Sequence, residues 1–127
     1  MLLKRLIIFS VIPLMVLMGC GQHDRELVVG HYTDEKTIVY SEDALKDEEK
    51  IEDFKNIIDS STRTDERPKG LPQYVVTINN LNDSTMELMI NFWINEENGF
   101  IFTKGLEGNE HFEVNEDDIN DVKELIN

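Results

Sequence analysis

The sequence predicts a two-layer α+β domain, an antiparallel meander sheet of four or five strands with two helices in the order β-α-β-β-β-β-α. Three observations predict it. Met86, Leu88, Ile90, Phe92 and Ile94 alternate without a break, the period-two pattern of a strand with one buried face. Ile51, Phe54, Ile57 and Ile58 fall at i, i+3, i+6 and i+7, one apolar stripe along a helix. Ile119, Val122, Leu125 and Ile126 repeat that spacing near the C-terminus. An apolar sheet face and two one-sided helices can bury one another only by stacking in layers.

The elements follow in order. Residues 37–40 (Thr-Ile-Val-Tyr) form a short strand rich in β-branched side chains. Residues 41–46 are acidic and turn-like. Asp47 is positioned to cap a helix starting at Glu48, where Glu48 and Glu49 favour the positive end of the helix dipole. Glu52, Asp53, Lys55 and Asn56 lie off the apolar stripe, and the helix fades near Ser60 and Ser61. Residues 61–72 read as a loop containing Pro68, Gly70 and Pro72. Residues 74–78 form a strand with Tyr74, Val76 and Ile78 on one face, and 79–83 form an Asn- and Asp-rich turn. The longest strand spans 84–94, with Glu87, Met89, Asn91 and Trp93 on its second face. Asn98-Gly99 closes a hairpin into 100–103, and a turn at 105–109 leads to a strand at 111–114. Asn115 is the expected N-cap of the last helix. Glu116, Asp117 and Asp118 fill its first turn, and Val114 meets Ile119 as a hydrophobic staple.

The 127 residues allow one domain. Twelve basic residues against 26 acidic ones give a net charge of −14, which argues against a nucleic-acid binder, since that function needs a basic stripe. The single cysteine excludes an intramolecular disulfide framework and a multi-cysteine zinc site.

Residues 1–19 differ from the rest. Fourteen of them are apolar, Lys4 and Arg5 are their only charges, and residues 6–18 carry no charge at all. A basic start followed by an apolar run is the pattern of a secretory signal peptide. Thirteen helical residues reach about 20 Å, short of a bilayer core of about 30 Å. The uncharged run continues to His23, so an uncleaved anchor helix is the alternative. Leu17-Met18-Gly19-Cys20 resembles a bacterial lipobox. The resemblance implies a diacylglyceryl thioether on Cys20, cleavage before it, and a palmitate-bearing lipoprotein on the outer face of the cytoplasmic membrane. Two acyl chains on one sulfur suffice for stable anchoring. Beyond that lipid no cofactor is expected. Without Lys4 and Arg5, ten basic residues face 26 acidic ones, a net of −16.

The expected organisation is therefore a signal peptide over 1–19, a lipid-anchored tether over 20–36 and one domain over 37–127. Within the tether Leu27-Val28-Val29 is the one apolar patch, a short edge strand at most. Residues 37–127 resemble the small YhfM-like lipoproteins of Gram-positive bacteria. The matching features are the strand-then-helix opening between Ile38 and Ile58, Pro72-x-Tyr74, Phe92-Trp93-Ile94 and Phe112-x-Val114. The resemblance implies a lipid-anchored extracytoplasmic domain and carries over no catalytic residues.

No catalytic constellation is legible. Cys20 is committed to lipid, His23 and His31 fall in or beside the tether, and His111 alternates with Phe112 and so faces solvent. No serine has a G-x-S-x-G context. The acids cluster in helix first turns and on solvated faces, where they serve capping and solubility. Calcium wants several convergent loop oxygens. The runs 115–121, 79–83 and 95–98 supply oxygen without EF-hand spacing, so no metal site is expected. Met89 and Trp93, opposite the main apolar row, are candidate partner contacts; the alternative is that Trp93 packs under the tether, a loop or a helix. Arg63, Arg67 and Lys69 are the basic cluster of the domain, a solvated loop or candidate anion contacts. The expected function is a non-catalytic binding or accessory domain at the cell envelope, held by its lipid and meeting another envelope protein or ligand. The alternative is a small envelope enzyme or Ca2+-dependent module using surface carboxylates.

Overall fold

The computed structural model describes residues 24–105 and 108–127. The expected signal peptide and the lipobox lie outside the described residues. The described chain is α+β, with one antiparallel sheet of seven strands in the order β2-β1-β4-β5-β6-β7-β3. These are β1 (Arg25–Asp34), β2 (Thr37–Tyr40), β3 (Thr62–Thr64), β4 (Tyr74–Asn80), β5 (Thr85–Ile94), β6 (Phe100–Lys104) and β7 (His111–Glu113). Helix α1 (Glu48–Ser60) follows β2, and α2 (Ile119–Ile126) ends the chain after a 3-10 turn at Glu116–Asp118.

The meander β4-β5-β6-β7 is as expected; the strand count is not. Two segments read as irregular are strands. β1 lies inside the expected tether, and its ten residues sit between β2 and β4. Six consecutive residues, from Arg25 opposite Asn80 to Gly30 opposite Val75, pair with β4. The tether reading is corrected accordingly: from Arg25 onward this segment is part of the sheet. Strand propensity depends on partners more than on the residue itself, and here the partners are distant in sequence. A Cβ on Gly30 would lie 2.8 Å from Tyr40 Cδ1 and 3.0 Å from the Val39 carbonyl oxygen, so β2 closes on β1 over a glycine. β3 corrects the loop reading in the same way: Thr62, Arg63 and Thr64 pair with Glu113, Phe112 and His111.

Helix α1 starts as its sequence requires. The Asp47 carboxylate accepts from the backbone N–H groups of Glu49 and Lys50 at 3.1 and 3.4 Å. Ile51, Phe54 and Ile58 are buried. Asn115 does not cap α2. Its amide donates to the Ser60 carbonyl at 2.9 Å and its oxygen accepts from the Thr62 hydroxyl at 3.3 Å. That side chain ties the end of α1 to β3, and the 3-10 turn delays the helix to Ile119.

Both helices pack on one sheet face. Phe92 is central there, with Phe54, Phe100 and Phe102 edge-on at 6.1, 5.6 and 5.7 Å. Ile90, Val76, Ile78, Leu27 and Val122 complete the buried cluster. The alternating row of β5 is buried only at its middle. The register shifts between Ile78, opposite Leu88, and Asn79, opposite Met86, so Glu87 is a bulge residue. The bulge moves Met86 off the row, where it is 55% exposed, and Ile94 lies exposed at the strand end. The hairpin at 95–99 is as expected, with Asn98 at φ 64° and the Asn95 side chain accepting from the Glu97 and Gly99 N–H groups.

Candidate functional site

The second sheet face, expected to meet water or a partner, is closed at its centre. Val75, Thr77, Met89, Asn91, Ile101 and Thr103 are all buried. Asn91 is the hub of this face. Its amide donates to the Gly105 carbonyl at 2.8 Å and to the Thr103 hydroxyl at 3.4 Å, and its oxygen accepts from the Tyr32 hydroxyl at 3.2 Å. A buried amide with three partners is satisfied and holds its surroundings in one arrangement.

This closure relocates the expected partner contacts. Met89 is 8% exposed and offers little to a partner. Trp93 is half-buried, its indole N–H donating to the Gly70 carbonyl at 3.0 Å. The loop carrying Gly70 thus folds against Trp93, and the His111 ring sits 6.0 Å from the indole. His111 is half-buried beside Trp93, not turned freely to solvent. The basic cluster is divided among partners. Arg63 pairs with Glu110, Arg67 Nη1 lies 2.7 Å from His111 Nδ1, and Lys69 is exposed. The three cations do not converge on one anion site.

A charged cluster that the sequence did not reveal stands on the helix face. Arg25, 7% exposed, pairs with Glu48 and Glu52 of α1 and with Glu87 of β5 at 3.2 Å. Lys55 reaches Glu87 at 3.0 Å. The bulge brings Glu87 here, away from the face its alternation predicts. The hydrogen bond to Glu48, reinforced by those to Glu52 and Glu87, raises the Arg25 pKa against the opposing effect of burial. The Arg25 hydrogen bond holds Glu52 below the ordinary carboxylate range. At Glu87 burial pushes upward, and the hydrogen bonds from Lys55 and Arg25 bring it below that range. Arg25 Nε has no hydrogen-bond partner. The cluster fastens β1 to α1, with two cations set against three carboxylates.

The acidic runs considered for calcium serve as turns. The Asn80 side chain accepts from the Asn82 and Asp83 N–H groups at 3.1 and 3.3 Å, and Asn95 and Asn115 are used as described above. Among the described residues no group of three His, Cys, Asp or Glu side chains is placed to hold a metal ion.

An open cleft lies between the helices. Leu45, Phe54, Ile57 and Leu125 form the apolar part of a cleft of about 330 Å³, and Lys50, Asp53, Asp121 and Glu124 form its charged part. Leu125 also borders a second depression of about 640 Å³, reached by Tyr40, Tyr74 and Ile126. Leu125 is common to both linings, and the first, bounded by α1 and α2, forms a trough along α2. Burial pushes the Tyr40 phenol up, with a further contribution from Tyr32. Among the described residues no helix is long and apolar enough to cross a membrane.

No curated protein and no solved structure matches this chain. A family model described as "YhfM protein" matches residues 22–127, which takes in β1 together with all that follows. The matched span covers the whole sheet and both helices, and the chain belongs to the YhfM family.

Proposed function

We propose that this chain is a lipid-anchored domain on the outer face of the bacterial cytoplasmic membrane, acting by binding and not by catalysis. One observation carries the reading. Leu17-Met18-Gly19-Cys20 stands directly before the family unit that starts at residue 22 and the sheet that starts at Arg25. Cleavage before Cys20 removes the apolar leader and leaves every strand in place. A diacylglyceryl group on Cys20 then supplies two chains, enough for retention without a basic patch.

The binding surface in this reading is the trough along α2. Its apolar floor and carboxylate rim match an envelope protein segment or ligand that presents apolar and basic groups together. Palmitate labelling tests the anchor: Cys20→Ala abolishes incorporation and leaves either unprocessed precursor or released protein. Labelling and membrane retention equal to the parent chain refute it. Crosslinking in the native envelope tests the trough, with adducts expected to disappear in an Asp121→Lys, Glu124→Lys variant. Adducts that persist unchanged in that variant place the partner elsewhere.

A further inference from the structure

If Cys20 carries the lipid, the distance to the first strand becomes a structural constraint. Three residues lie between Cys20 and Asp24, and the four steps from one to the other reach at most about 14 Å. Asp24 is tied to one pole of the sheet, where its carbonyl accepts from the Leu81 N–H at 2.8 Å. That pole also carries the turn at 81–84, the end of β4 and the start of β5. Leu81 and Met86 are exposed there, 40% and 55%, without helix cover. The opposite pole, beyond Ile94, is about 30 Å away along the ten residues of β5.

Resting on the lipid anchor proposed above, we infer that the Asp24–Leu81 pole faces the bilayer, with Leu81 and Met86 at the headgroup boundary. The short leash brings that pole to the membrane before any other surface, and the two exposed apolar side chains are what it presents. Acidic residues stand at both poles, so charge does not decide the orientation. Glu116 of the 3-10 turn lines one depression with Asn95 and Glu97 at the far pole, so these acids are carried away from an anionic leaflet. Asp24, Glu26 and Asp83 remain at the near pole. A zwitterionic bilayer is therefore the cleanest probe, because it removes their repulsion.

The test uses the full chain, lipidated in cells with labelled palmitate and reconstituted into phosphatidylcholine vesicles bearing a headgroup nitroxide. A fluorophore is placed on Asp83→Cys or on Glu96→Cys. These are both acid-to-thiol changes in exposed turns, and Cys20 is blocked by its lipid. Quenching several-fold stronger at position 83 than at 96 is expected. It should weaken at 83 when Leu81→Ser and Met86→Ser are added. Equal quenching at both sites, or stronger quenching at 96, in palmitate-bearing protein overturns the orientation and leaves the anchor intact. Quenching at 83 that ignores Leu81→Ser and Met86→Ser overturns the contact assigned to those side chains. Failure to incorporate palmitate overturns the anchor and, with it, this inference.

Discussion

The two faces of the sheet are buried by different means. On the helix face, aromatic rings around Phe92 and the stripes of α1 and α2 exclude water through apolar area. On the other face, apolar Val75, Met89 and Ile101 share the buried layer with Asn91 and Thr103, Asn91 bonding to Thr103, Tyr32 and Gly105, and the Gly70 loop leans on Trp93. The first mode is non-directional and tolerant of shape. The second depends on every partner being in place, because an unpaired buried amide costs about 1–3 kcal/mol. One face supplies bulk stability, and the other specifies which loops close over it.

Substitutions can break this contrast. Phe92→Ala removes the ring that contacts three others and is expected to destabilise by about 4 kcal/mol in chemical denaturation. A loss below that of an ordinary surface change would show that the helix face is not the main core.

Arg25→Leu, on the same face, tests charge against apolar burial. It leaves Glu48, Glu52 and Glu87 together without their shared cation, with an expected loss of about 2 kcal/mol. The figure is held below that for a fully buried pair because the carboxylates remain partly hydrated. The same variant changes the pH dependence. Glu52 and Glu87 have lowered pKa values in the folded chain, so the unfolded chain binds more protons on acidification. Their contribution is present above the unfolded value of about 4.3 and is lost as pH falls through the lower folded values. Acid unfolding curves should flatten in Arg25→Leu; an unchanged pH profile would remove the cluster from the stability account.

Asn91→Ala addresses the other face. It leaves the Tyr32 hydroxyl and the Gly105 carbonyl without a partner and is expected to cost about 1.5 kcal/mol. Faster hydrogen exchange should concentrate at Gly105 and along β1. Exchange spread evenly over the sheet would mean that Asn91 does not pin this face. The smallest effect is expected from Trp93→Phe, which keeps an aromatic ring at a half-buried site and loses the bond to Gly70 with part of the indole area, about 1 kcal/mol. Proteolysis within residues 65–73 should rise in that variant, and unchanged protection would show that the loop is held by other contacts.

Much of the helix face was legible in the chain. The i, i+3, i+6, i+7 stripes, the Asp47 cap and the Asn98-Gly99 hairpin act through neighbours a few residues apart, and each stands where the pattern places it. β3 and the first half of β1 were not legible, because both pair with partners about fifty residues away, while the second half of β1 pairs with the adjacent β2. Asn115 looked like a cap by its local context, yet its amide bonds to Ser60 and Thr62. The Arg25 cluster was hidden for the same reason. It gathers Arg25, Glu48, Glu52 and Glu87 from three elements, and a bulge no periodicity reveals turns Glu87 toward it.

The sequence by itself determined the α+β class, the helix stripes and a lipobox-like motif around Cys20, because each is written in local spacing and composition. Only the tertiary structure decided that the residues after Asp24 are an inner strand and that Met89 is covered. It also set Arg63 against Glu110 and Arg67 against His111, and opened a trough between the two helices. These depend on which distant segments meet, and pairing across long separations is set by the packing of the whole sheet, not by any one stretch of chain.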